Sequence, residues 1–562
     1  MRRNTVRRLS RLLMLIICIV NSPAWAKNDL LAYIPQDTLY VMGGFEPLPE
    51  KFLALADSPM FHTIMQTAVR AIQSDGSPDN AVRKLYSVYS KDMLDMGIQP
   101  LLAASGIDVS RNYVSYTVGL LAVTRMAVKD PNTFRQYLQT LEKRAGVSPQ
   151  MRAIAGIHYR FYAVDDKPGG VGYVVAIHKD HVVLAVDVGD NPKRLIQAIG
   201  LKKPDRPLAI NPLRSMVKRY RIKPYYFFYS RPKQIVKAVF GPDRQLFQYQ
   251  QILSPQAGQN YAKIADVVAK SGCESDLLRM AENWPAVIMG HKTLSFDKKF
   301  TYDMVAGIDS RDTETLGYLK QLTGFLPRSL SDLNKDDVFS MGLGINMDQL
   351  IPVVSQWVQS VQKQTYQCAG LKGMQAALKK PNVLRPVAML SGMTAGIGGM
   401  AVTLFQLQMR EHAPKGQIQS VDLALYLNSG NPLNLASRML AMIPQAAGQV
   451  PAKGKWTHFQ VPLGETTNIP VNVTLTERDI QVNTGERSGK FMNGKTKQTT
   501  SRLFAMAFNM SRVIKLALRK PPKEFNEQQR IMLRTMADIN LKMSMTMQAK
   551  KDRIVFDMNM TD

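Results

Sequence analysis

One module recurs six times along this chain: a short alternating strand, an Asn, Asp or Pro cap, and a short helix. Strand 121–128 leads to Asp130-Pro131 and a helical run at 134–144, and 181–188 leads to Asn191-Pro192 and 195–199. Strand 225–229 leads to Arg231-Pro232 and 235–240, and 338–345 leads to Asn346 and 350–361. Strand 423–427 leads to Asn431-Pro432 and 435–443, and 504–508 leads to Asn509 and 513–518. Asn or Asp accepts hydrogen bonds from the first free helical amides, and Pro in the first turn gives up no backbone bond. The expected fold class is therefore α+β: antiparallel sheets with packed helices, built from repeated strand-helix modules.

A longer similarity lies over these modules. Residues 114–190 read as strand, Asp-Pro helix, then strands at 159–164, 171–177 and 181–188. Residues 421–486 read as strand, Asn-Pro helix, then strands at 458–463, 469–476 and 479–483. Order and spacing agree while residue identity is low. An internal duplication predicts this, and so does convergent use of one hairpin topology. Apolar residues at helical spacing predict helices over 52–71, 81–104, 247–269, 350–378 and 525–536. A terminal hairpin, 541–548 and 554–560, is expected around Lys550-Lys551-Asp552. The uncharged stretch 386–409 is interrupted by Gly392, Gly396, Gly398 and Gly399, which predicts two buried strands around a Gly-rich turn.

Residues 1–26 carry the marks of a secretory signal peptide. Arg2, Arg3, Arg7, Arg8 and Arg11 precede the apolar run 12–20, and Ala24 and Ala26 frame a small-x-small end. The apolar run is about half the ~20 residues needed to span a bilayer. Ser10 follows Leu9 where a twin-arginine signal carries an apolar residue, and no small residue precedes Cys18 as a lipoprotein signal requires. Cleavage after Ala26 and a periplasmic location are expected, with no membrane span remaining. The mature chain of about 536 residues is long for one core. Its expected divisions are an N-terminal α+β domain at 27–270 and a C-terminal one at 271–562.

Two compositional facts bear on function. Without the five signal arginines the formal net charge falls from +28 to +23, and such a surface attracts polyanions. For an exported chain these are anionic lipid, lipopolysaccharide and acidic envelope polymers rather than nucleic acid; an envelope protein is the other expected partner. The densest basic stretch is 202–237, where Lys218, Arg219, Arg221 and Lys223 are the anion-binding candidates. Aromatic residues 225–229 lie within it, as a stacking surface or a buried strand. Once Cys18 leaves with the signal, Cys273 and Cys368 remain and are expected to form a disulfide in an oxidising compartment.

Motifs for catalysis are weak. Gly489 to Thr496 matches the P-loop pattern, but no helix or magnesium-binding strand is expected after Thr496, and a flexible basic hairpin loop is the better reading. Ser230-x-x-Lys233 and Ser360-x-x-Lys363 lack the companion motifs of penicillin-recognising enzymes. His178 and His181 fall where a hairpin turn with solvated side chains is expected. Neither catalytic residues nor cofactor is assigned. Methionine is frequent, at 32 residues, and Met543, Met545, Met547, Met558 and Met560 alternate along the two arms of the last hairpin. Period two puts each set on one face, as core filler or as a soft-metal site.

The opening Leu31 to Val41, with Glu46-Pro47-Leu48-Pro49, resembles the start of uncharacterised exported proteins of Gram-negative bacteria and broader families such as DUF3352. The resemblance implies export and the same fold class, and supplies no site residues. The expected function is a non-enzymatic envelope binding or scaffold protein with a basic face. A hydrolase of an envelope polymer and a soft-metal or redox protein are the alternatives.

Overall fold

The strand-helix steps close on the caps that the sequence provides. Asp130 accepts from the Asn132 and Thr133 amides, both at 3.0 Å. Asn191, Asn431 and Asn509 accept from the amides of Arg194, Asn434 and Arg512 at 3.1–3.2 Å. Asn346 caps a single 3-10 turn, Met347–Gln349, that runs into the helix Leu350–Lys363. Arg231 makes no side-chain cap; there Pro232 alone starts the helix.

The computed structural model describes residues 30–57, 80–164, 171–188, 191–241, 271–295, 300–331, 337–380, 382–409, 418–441, 449–462, 468–495, 499–519 and 541–561, with positions 62, 65, 66, 69, 333, 530, 533, 534, 537 and 538. The expected signal peptide and the helices foreseen over 247–269 and 525–536 lie outside this set or nearly so. The chain is α+β, with large antiparallel pairings and packed helices. It divides into two compact units, Met1–Ser295 and Phe296–Asp562. This division lies after the 270/271 expected from sequence, and helix Cys273–Glu282 packs on helix Pro232–Phe240 of the first unit.

In the first unit the strands are β1 (Tyr40–Gly43), β2 (Tyr113–Val118), β3 (Leu121–Ala127), β4 (Gln150–Ile154), β5 (Ile157–Ala163), β6 (Val171–His178), β7 (His181–Val188), β8 (Phe227–Ser230) and β9 (Ala286–Ser295). They pair antiparallel in the order β4-β5-β6-β7-β3-β2-β1-β8-β9. In the second unit they are β10 (Thr301–Asp309), β11 (Phe325–Pro327), β12 (Phe339–Leu343), β13 (Ile397–Met409), β14 (Ile418–Ser429), β15 (Thr457–Pro462), β16 (Asn468–Leu475), β17 (Asp479–Asn483), β18 (Thr499–Ser501), β19 (Phe504–Asn509), β20 (Lys542–Ala549) and β21 (Arg553–Thr561). Their antiparallel order is β15-β16-β17-β14-β13-β12-β19-β20-β21-β10, with β11 and β18 forming a separate pair.

The run β5-β6-β7-β3-β2-β1-β8-β9 therefore has the same connectivity as β15-β16-β17-β14-β13-β12-β19-β20. Register agrees as well. Val123 and Ala424 each stand seven residues before a helix cap, Asp130 or Asn431. Their partners across successive strands are Tyr116, Val41 and Tyr229 in one unit, and Thr403, Ser340 and Ala507 in the other. Tyr229 and Ala507 each stand two residues before the second helix start, Arg231 or Asn509. Four strands are crossed without a slip of one residue.

Three local expectations fail for definable reasons. The helix over 81–104 is broken at Gly97, whose φ of 82° leaves the helical region, giving Ala81–Met96 and Ile98–Ala104. The helix over 350–378 ends at Lys363 and restarts at Ala369. The stretch 386–409 is a helix, Arg385–Thr394, followed by β13 rather than two strands. Pro386 in the first turn and Gly396 with φ 85° set its limits. Among the described residues no helix is long and apolar enough to cross a membrane.

Candidate functional site

The basic cluster is built on the helix Ile210–Arg219. Leu213 and Val217, one turn apart, are buried and fix one face, while Arg214, Lys218 and Arg219 are exposed. The helix ends in a Schellman closure: the Ile222 amide donates to the Val217 carbonyl at 2.9 Å and the Arg221 amide to that of Lys218 at 3.0 Å. The closure puts Arg221 in the left-handed region, φ 58°. Helices Pro131–Ala145 and Pro192–Ile199 end with glycine in that conformation, Gly146 and Gly200. A side chain there costs about 1–2 kcal/mol. The Lys223 amide then donates to the His291 carbonyl at 2.7 Å, tying the turn to β9.

All four candidate cations are exposed and fall within six residues around one helix end. Lys218, Arg221 and Lys223 have no ion pair among the described residues, and the Arg219 guanidinium lies 5.4 Å from the Tyr220 ring. Arg214 covers Phe45 at 4.4 Å. The helix C-terminus carries partial negative charge, which offsets the mutual repulsion of Lys218 and Arg219 by about 0.3–1 kcal/mol each. The cluster also sits in a segment without counterpart. Between helix Pro192–Ile199 and β8 the first unit has residues 200–226; between helix Glu486–Lys495 and β19 the second has only 496–503.

The aromatic run inside the basic stretch is structural. Strand β8 lies between β1 and β9, with Phe227 fully buried and Tyr225 nearly so. Tyr225 and Tyr226, with Phe52, surround His291, at ring separations of 4.9–6.2 Å. Burial pushes the His291 imidazole down to about 4. Nothing in the sequence around His291 marks it, because the rings come from three separate segments.

The remaining motifs resolve into structure. Gly489 to Lys495 lies inside helix Glu486–Lys495, so the expected hairpin loop is absent and no phosphate-wrapping loop forms. Asp422, far away in sequence, accepts from the Arg487 and Ser488 amides at 3.1 Å and starts that helix. Ser230 Oγ donates to the Leu39 carbonyl, and Ser360 Oγ donates to Glu314. His181 is buried at the β6–β7 turn beside Asp180 and Arg111, not solvated as expected. Burial also lowers the His178 pKa, helped by Arg125 and Lys179. Arg125 is fully buried; its Nε donates to Tyr116 Oη at 2.8 Å and its Nη2 to the Ala198 carbonyl at 2.6 Å. Cys273, at the start of its helix, and Cys368, capping the helix Ala369–Leu378, are disulfide-bonded.

A cavity of about 220 Å³ in the second unit is lined by Ser331, Lys542, Ser544, Asn559 and Thr561 among others. Its lining includes one cation and no carboxylate or imidazole. Among the described residues no three His, Cys, Asp or Glu side chains are grouped to hold a metal ion. Comparison with protein-family models, curated proteins and solved structures finds no match to this chain.

Proposed function

We propose that this chain is an exported, non-enzymatic envelope protein that binds anionic headgroups or polymers through Lys218, Arg219, Arg221 and Lys223. The carrying observation is the placement of these cations. They occupy a segment present in only one of two units of matching connectivity, and Arg221 stands in a backbone conformation that a glycine would adopt without strain. Strain retained at an exposed position is a pointer to function. The signal-like residues 1–26, the bonded cysteines and the resemblance of Leu31 to Val41 to exported proteins support the location. The matched connectivity and register support two copies of one ancestral unit, of which the first gained the basic segment.

Mature protein should begin at Lys27, read as intact mass from a periplasmic extract. At ~0.15 M ionic strength screening acts over ~8 Å, so clustered charges retain attraction that dispersed ones lose. Neutralising the four candidates should weaken binding to anionic vesicles or lipopolysaccharide at least tenfold, and neutralising four scattered lysines far less. Equal losses would leave bulk charge as the cause, and no binding at low salt would reject the reading.

A further inference from the structure

The second unit carries a row of methionines that no single segment reveals. Met341 of β12 stands opposite Met506 of β19, which stands opposite Met545 of β20. Met545 stands opposite Met558 of β21, and Met558 opposite Met304 of β10. Five adjacent strands thus place methionine at one level on one face. On the hairpin β20–β21 the next level repeats it: Met543 stands opposite Met560. The same level continues across Val402, Leu425, Val482 and Val473 towards the other edge. Val473 is buried under the core that includes Leu435 and Met347. Val402, Leu425 and Val482 are half-buried, as are Met304, Met506, Met545 and Met558, so the row changes from branched aliphatics to thioethers without a matching change in burial. The row is not the buried core filler expected from alternation alone, since Met341 is 43% exposed and the other four are half-buried.

Filling alone does not account for the change. Branched and aromatic side chains suit a pleated surface better than methionine does. Opposed Cβ atoms in an antiparallel pair lie about 4.5–5.5 Å apart, and same-face neighbours along a strand about 7 Å apart. Met543, Met545, Met558 and Met560 therefore occupy the corners of a small rectangle. An unbranched side chain with three rotatable bonds can turn its sulfur inward from each corner. Phe508 and Tyr302 stand at the two outer sides of the Met543–Met560 pair. The carboxylates of the same strands, Asp303 and Asp557, alternate onto the opposite face, leaving neutral soft donors alone. Thioethers select copper(I) and similar soft monovalent ions over hard divalent ones.

We propose that the β20–β21 quartet Met543, Met545, Met558 and Met560 binds one soft monovalent cation, copper(I) in kind, with Met304 and Met506 as flanking donors. The inference is independent of the anion-binding reading. The test uses full-length mature protein labelled with ¹³C at methionine methyls. Silver(I), a redox-inert probe, should shift the methyls of the quartet at one equivalent, and copper(I) should be drawn from a micromolar chromophoric chelator with a sulfur-only absorption-edge shell. The pair M545L and M558L, near-isosteric changes, should weaken copper(I) binding at least a hundredfold. M151L and M280L, at exposed positions elsewhere, should leave it unchanged. Silver(I) shifts spread equally over exposed methionines, or no transfer of copper(I) from the chelator, would overturn the site whether or not the variant folds.

Discussion

The two units run the same strand connectivity but finish one sheet face differently. In the first, the level through Val175, Leu184, Thr124, Ser115, Met42, Phe228 and Met289 corresponds strand by strand to the second unit's Val473, Val482, Leu425, Val402, Met341, Met506 and Met545. Met42 is 4% exposed, because Leu48 and Phe52, which follow β1 in the chain, fold back over it with Tyr225. Its counterpart Met341 is 43% exposed. After β12 the chain turns instead through Met347–Gln349, and Met347 and Leu350 pack towards Ile397 and Leu427. Connectivity thus fixes which side chains share a face, and the segment that follows β1 or β12 decides whether that face is closed.

The largest expected effect tests that closure directly. Met42→Ala should cost about 2–5 kcal/mol, as a cavity in a closed core does, while Met341→Ala should cost less than about 1 kcal/mol. Urea midpoints of the two variants check this, and equal losses would show the second face to be closed as well.

Next comes acid sensitivity. By strand register His291 corresponds to Met547, so the closed face holds an imidazole where the open one holds a thioether. Its folded pKa of about 4 lies below the usual 6.5. Its contribution is therefore whole above pH 6.5 and lost as pH falls towards 4, by about 3 kcal/mol. Thermal unfolding over that window should show the loss in the parent chain and a smaller one in His291→Met. An unchanged pH profile would assign acid sensitivity elsewhere.

The smallest effect concerns the segment without counterpart. Arg221→Gly should raise stability by about 0.5–1 kcal/mol by relieving the left-handed backbone. The same variant should weaken vesicle binding. A gain in stability without a loss of binding would separate Arg221 from the proposed site.

Much of this was readable where the signal is local. Five of the six strand-helix caps act through the Asn or Asp that the sequence supplies, within three residues. Exposure of Lys218 and Arg219 follows from the apolar spacing of Leu213 and Val217, whereas Arg221 and Lys223 lie beyond the helix and are placed by its closing turn. What was lost depended on distant partners. The helical state of Gly489 to Lys495 is not legible locally, because the start of that helix is held by Asp422. The 386–409 stretch lacked alternation cues that separate a helix from a strand. The methionine alternation of the last hairpin was visible, but only strand pairing sets Met304, Met341 and Met506 beside it. The aromatic enclosure of His291 is likewise assembled from three segments.

Strand β10 has one further consequence. Along its whole length it pairs with β21, the last strand of the chain, so that Asp303 receives a hydrogen bond from Asn559 across 256 positions. Synthesis at about 5–20 residues per second leaves β10 without that neighbour for roughly 10–50 s. Through this interval a strand with free amides and carbonyls is open to wrong pairing. The second unit's sheet is therefore completed only by the final residues, and a chain stopped before Arg553 retains an unpaired edge on β10 however completely its earlier elements have formed.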